Sequence, residues 1–168
     1  MINLSLCLKS QAKCILYILM NNRTHSECKT PNKRLLIDAL LETSDRLEQP
    51  NTEYQWGHMG QCNAGHLIQT LTGMSSYEIV ESIDFQYDEW SEHATDYCSN
   101  TGHKVDDIFY SISQYGLTHE DIVKLENLSH TKILNNLDGG FRYLSRNDKS
   151  DVIAYMRSYA DLLKKELI

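Results

Sequence analysis

The chain has little to divide it. Its two prolines, Pro31 and Pro50, both lie in the first third, and no interior stretch is rich in proline or glycine. Nor is there a repeat or a low-complexity tract, so nothing marks a linker, and 168 residues suit one compact core. No strand-length segment alternates apolar and polar residues, which argues against a sheet. No Cys-x-x-Cys occurs, and the five cysteines, at 7, 14, 28, 62 and 98, are odd in number and widely spaced. That excludes a dense disulfide framework and fits a reducing cytoplasm.

Long apolar runs are missing too. The best candidate, residues 14–20, is far shorter than the roughly 20 residues a membrane-spanning helix needs. It runs into Asn21-Asn22-Arg23 rather than a small-residue cleavage site, which argues against a signal peptide. A membrane role is therefore not expected. The net charge is −7 and no strong basic patch stands against it, so nucleic acid is not the expected partner either. Residues 75–103 hold no lysine or arginine but do hold Glu78, Glu81, Asp84, Asp88, Glu89, Glu92 and Asp96. The first 34 residues reverse this, with Lys9, Lys13, Arg23, Lys29, Lys33 and Arg34 against Glu27 alone. Such asymmetry suits a homo-oligomer or a basic protein partner.

What the chain does have is helical punctuation. In an N-terminal segment, 1–29, Leu4, Leu8, Ala12, Ile15 and Leu19 share one helical face. It reads either as a docked helix or as an extension upstream of a start at Met20. Thr30-Pro31 predicts a capped helix over 31–48 carrying Leu36, Leu40 and Leu47. Cys62 is expected at the N-terminus of a helix with Leu67, Ile68 and Leu71, closed by Gly73. Ser75 with Glu78 forms a capping box for Ile79, Val80 and Ile83, and Asp88 opens a helix with Trp90, His93, Ala94 and Tyr97. Val105, Ile108, Phe109, Ile112 and Tyr115 make a face that Gly116 ends, and Thr118 with Asp121 caps the next helix. Ser129 is expected to cap a turn with Ile133, Leu134 and Leu137, before Gly139-Gly140 breaks it. Residues 147–150 cap a long last helix. The fold expected is all-α, one domain of six to seven helices over 30–168.

One stretch is denser in chemistry. Residues 54–66 hold Trp56, Gly57, His58, Gly60, Cys62, Gly65 and His66, a composition that suits a shaped loop. Three readings of it stay open. Cys62 and His66 with Cys98 and His103 have the softness and number of ligands for a tetrahedral zinc, at spacings that permit the site without specifying it. Cys62 at a helix N-terminus would feel the dipole as a nucleophile or redox thiol, with His58, His66 or His103 as its base. Third, Cys62 is a small buried hydrophobe under Trp56 and Met59. His93 reads as an interior histidine, and His25, His119 and His130 need no special role.

A different class is an interaction module. Residues 116–134 read as two short helices around a tight turn, a pair that helical adaptors use, and Lys132 alone equips the second poorly for phosphates. Finally, Trp56-Gly57-His58-Met59-Gly60-Gln61-Cys62-Asn63-Ala64-Gly65, Thr95-Asp96-Tyr97-Cys98 and the L-E-x-L-S pattern after Asp121 resemble a family of small bacterial proteins. The similarity covers about residues 33–168. It implies no activity or cofactor, but it favours Cys62 and Cys98 over His66 and His103 as motif residues.

Overall fold

Asn32 opens the first helix, its side chain accepting the Leu35 N–H at 3.4 Å. The structure, a computed structural model, describes residues 32–82 and 105–168, and for residues 82 and 105–107 the backbone alone. The segment 1–29, the Asp88 helix with His93, and Thr30-Pro31 lie outside the described residues. The first helix, α1, spans Lys33–Glu48, so its cap is Asn32 rather than the expected Thr30. A side-chain oxygen one residue before the helix satisfies a free N–H directly, whereas proline only presets a dihedral.

Among the described residues six further helices follow: α2 Asn63–Thr72, α3 Ser76–Ser82, α4 Val105–Ser113, α5 His119–Glu126, α6 Thr131–Asn135 and α7 Lys149–Lys165. Among the described residues there is no strand, and the fold is all-α. Helix α1 buries Leu36, Ile37, Leu40, Ser44 and Leu47, the side chains that a 3.6-residue period puts on one face. Helix α7 answers with Val152, Tyr155, Met156, Ala160 and Leu163. The two run antiparallel, since Lys33 reaches Glu166 at 2.8 Å while Arg157 reaches Asp45 and Glu48, both at 2.9 Å. Those ion pairs are exposed, so each is worth under about 1 kcal/mol. The apolar seam does the holding, and Leu40→Ala alone would cost about 2–5 kcal/mol.

The short helix α2 is the hub, packing on α1, α3, α4 and α5. Its first six residues, 63–68, are all buried. Gly73 ends it in the left-handed region at φ 74°, and the Ser75–Glu78 box opens α3 with bonds of 2.8 and 3.2 Å. The Thr118–Asp121 box opens α5, as its sequence predicts. Helix α6 differs. It is capped at His130, not Ser129, and His130 contributes no side-chain bond. The His130 N–H instead donates to the Tyr155 hydroxyl at 3.1 Å, so a tertiary contact from α7 fixes the start of α6.

Candidate functional site

The 49–62 loop is folded upon itself. Gln61 N–H and Cys62 N–H both donate to the His58 carbonyl, at 2.7 and 2.9 Å, and Gln55 N–H donates to the Gln61 carbonyl at 3.2 Å. Gly60 and Gly65 permit this. A Cβ on Gly60 would lie 2.7 Å from Ser76 Cα, and one on Gly65 2.7 Å from the Gly60 carbonyl carbon. The loop therefore presses against α2 and α3 with no room for a side chain.

Cys62 is the N-cap of α2. Its Sγ accepts the Gly65 N–H at 3.4 Å, and its carbonyl accepts the His66 N–H at 2.9 Å. Another first-turn donor, Ala64 N–H, goes to a carboxylate 62 residues away, Glu126 Oε2, at 3.1 Å. Glu126 is only 2% exposed. Asn63 completes the junction, donating from Nδ2 to the carbonyls of Leu125 (3.3 Å) and Glu126 (2.8 Å). Its Oδ1 lies 2.5 Å from the Tyr54 hydroxyl, which also meets the Arg146 carbonyl. A helix N-terminus, a helix C-terminus and two loops are thus joined by buried polar groups that satisfy one another.

This geometry bears directly on Cys62 as a nucleophile. The residue is 1% exposed, and burial, then the neighbouring Glu126 carboxylate, pushes its thiol well above the ordinary range, outweighing the Gly65 N–H bond. The dipole that sequence reasoning counted on is already met by Glu126. The thiol's own partners are that carboxylate and the Met59 carbonyl at 3.6 Å. No hydrogen bond joins it to the His58 ring, whose Nδ1 is buried without a partner.

His66 faces elsewhere. Arg46 Nη2, which can only donate, lies 3.4 Å from Nδ1 and 2.7 Å from the His66 carbonyl. Nδ1 is therefore the acceptor, and Nε2 carries the proton to the Glu53 carbonyl at 3.0 Å. Burial first, and then the Arg46 charge, lowers the imidazole to about 4. Both ring nitrogens are engaged, while the Cys62 thiol meets the Met59 carbonyl at 3.6 Å, so each candidate ligand has other partners. Cys98 and His103 lie outside the described residues. Among the described residues no group of three or more His, Cys, Asp or Glu is placed to hold a metal ion.

Two surface clefts lie away from the junction. The larger, about 510 Å³, is lined by α7 and the 136–142 segment, with Glu48 at the end of α1. Its charged walls are largely spent, with Arg157 on Asp45 and Glu48 and Arg142 on Asp151 at 2.6 Å. The smaller, about 290 Å³, is lined by Asn127, Leu128, Ser129, Thr131, Leu134, Phe141, Tyr143 and Leu144. Leu128 and Leu134 are buried, whereas Phe141 is 47% and Tyr143 86% exposed, their rings edge to face at 5.1 Å. Gly139 and Gly140, at φ 88° and 86°, turn the chain into this ridge. The ridge is pinned behind by Arg142 on Asp151 and by the Ser145 N–H on the same carboxylate at 2.8 Å.

At one end of the groove Arg146 donates from Nη1 to the Asn127 Oδ1 at 2.7 Å. Its guanidinium lies over the Trp56 ring, 3.8 Å from the centroid. The loop that draws attention in the sequence thereby supports the groove's rim. No protein-family model, curated protein or solved structure matches the chain.

Glu126, Asn63 and Arg146 escape a reading of the residues alone. Glu126 falls beside Leu125 on the apolar spacing of α5, which is the signal of a buried carboxylate. Phe141-Arg142-Tyr143 follows a double glycine with no helical face to bury the rings. His119, expected in polar surroundings, stacks on Phe109 at 4.1 Å, and desolvation lowers its imidazole.

Proposed function

We propose that the protein is a helical protein–protein interaction module whose binding surface is the groove between α6 and the 141–144 segment. The observation that carries this reading is the exposure of Phe141 and Tyr143 above a leucine floor. Aromatic side chains held rigidly at a surface are what binding sites use, because they offer large contact area at little entropic cost. A groove of about 290 Å³ has room for anchoring side chains rather than for a large cofactor. The buried, hydrogen-bonded Cys62 supports a structural role for the thiol. The odd, widely spaced cysteines support a cytoplasmic setting.

A photo-crosslinking residue placed at 143 tests this against the same residue at 110. Tyr110 is 71% exposed on α4 and lines neither cleft. The expected result is a discrete adduct from 143 that Phe141→Ala abolishes, and none from 110. Equal adducts at both positions, or none at 143, would remove the groove as the binding surface.

A further inference from the structure

The groove says something about what occupies it, and this inference rests on the interaction reading above. Its lining carries no charged side chain, but Arg146 stands at the Asn127 end. Three contacts hold that residue in place. The Trp56 ring supports the guanidinium face at 3.8 Å, Asn127 Oδ1 takes one Nη1 proton at 2.7 Å, and the Tyr54 hydroxyl meets its carbonyl oxygen. Among the described residues Arg146 makes no ion pair, unlike Arg142 and Arg157, whose carboxylates lie at 2.6 and 2.9 Å. The acids closest in sequence are committed: Asp148 accepts the Ser150 N–H at 2.8 Å, and Asp151 holds Arg142 at 2.6 Å and the Ser145 N–H at 2.8 Å. Glu126 accepts the Ala64 N–H, and Asp138 lines the other cleft.

A guanidinium is a planar fork with five donors, and one that is already oriented loses little freedom when a carboxylate arrives. Beside it lies apolar surface open to side chains. We propose that the partner is an acidic peptide segment, with a carboxylate received by Arg146 and an adjacent leucine- or phenylalanine-type side chain seated between Phe141, Tyr143 and Leu134. The fit is one of charge complementarity at the end of a groove whose middle is apolar. Such a fixed cation discriminates between partners as well as holding them.

The probe is a fluorescently labelled synthetic peptide of about twelve residues, with leucine anchors one helical turn apart and glutamates between them. Its counterpart carries glutamine at every glutamate, and a third peptide keeps the glutamates but replaces the leucines by serine. Anisotropy titrations against the full chain should give the leucine–glutamate peptide at least a tenfold lower Kd than its glutamine counterpart. Arg146→Gln should abolish that ratio, and Arg146→Lys should leave an intermediate value because the charge remains without the fork. Phe141→Ala with Tyr143→Ala should weaken both leucine peptides alike, and the serine peptide should not bind.

If the glutamate and glutamine peptides bind equally and both need Phe141 and Tyr143, the carboxylate inference is overturned while the interaction surface stands. If the leucine peptides bind without regard to Phe141 and Tyr143, or do not bind at all, the groove as their receptor is overturned with it. The comparison of peptides on the unaltered chain keeps the test valid even if Arg146→Gln loosens Trp56.

Discussion

Two regions of the molecule invert the usual relation between chemistry and exposure. Around Cys62 and Asn63 a carboxylate, a thiol and an amide are buried beside a half-buried phenol, and each meets a partner. Around Phe141 and Tyr143 two apolar rings lie open to solvent with leucines beneath them. The first region is rich in reactive residue types and behaves as a joint. The second is poor in them and has surface left uncovered. The difference teaches that a cluster of functional groups points to function only when some of its bonding capacity is unspent.

The largest effect that would break this comparison is at Gly65. Gly65→Ala puts a methyl 2.7 Å from the Gly60 carbonyl carbon, where backbone must move, and should cost about 3 kcal/mol or more in chemical denaturation. A cost below about 1 kcal/mol would mean the loop is not pressed onto α2. Next comes Asn63→Ala, which leaves the carbonyls of Leu125 and Glu126 without that donor and the Tyr54 hydroxyl without one acceptor. It should cost about 3 kcal/mol, and a stability unchanged from wild type would deny the junction its structural role.

His66 sharpens the comparison through pH. Folded, it stays neutral down to about 4, while the unfolded chain takes up the proton near 6.5. Between those values the unfolded state binds more protons, so the stability His66 contributes is whole above 6.5 and declines as pH falls through that window. The loss should amount to about 2–3 kcal/mol after allowing for partial screening at the ring. Urea midpoints of wild type and His66→Gln should therefore converge from pH 7 to 4. Parallel curves would mean that the imidazole is not held neutral. The smallest effect on stability belongs to Tyr143→Ala, within about 0.5 kcal/mol, because that ring is 86% exposed. A large loss there would make the ridge structural and the groove reading untenable.

Much of the fold is legible from local chemistry. Gly73 and the Ser75–Glu78 and Thr118–Asp121 boxes each act within a few residues, and the structure places each where its pattern predicts, whereas α6 ends at Asn135, before Leu137 and the Gly139-Gly140 break. Less legible is whatever depends on distant partners. The start of α6 moves because Tyr155 captures the His130 N–H. Cys62 is legible as a helix cap, but burial first and then Glu126 set its chemistry, and spacing does not reveal so distant a carboxylate. His66 reads as a ligand candidate from residue type alone, whereas in the fold Arg46 and the Glu53 carbonyl engage its ring. The groove is hardest to read, since no local pattern shows that Phe141 and Tyr143 stay exposed above the buried Leu128 and Leu134.

A double dissociation tests the central claim most directly. Thermal midpoint and Kd for the leucine–glutamate peptide would be measured side by side on Cys62→Ala and Tyr143→Ala. The account predicts that Cys62→Ala, which strips the Gly65 N–H of its acceptor, lowers stability by about 1–2 kcal/mol and leaves Kd within about twofold. Tyr143→Ala should do the reverse, leaving the midpoint in place and weakening binding about tenfold or more. If instead Cys62→Ala abolished binding without loss of stability, while Tyr143→Ala left Kd unchanged, function would lie at the thiol and the account would be wrong.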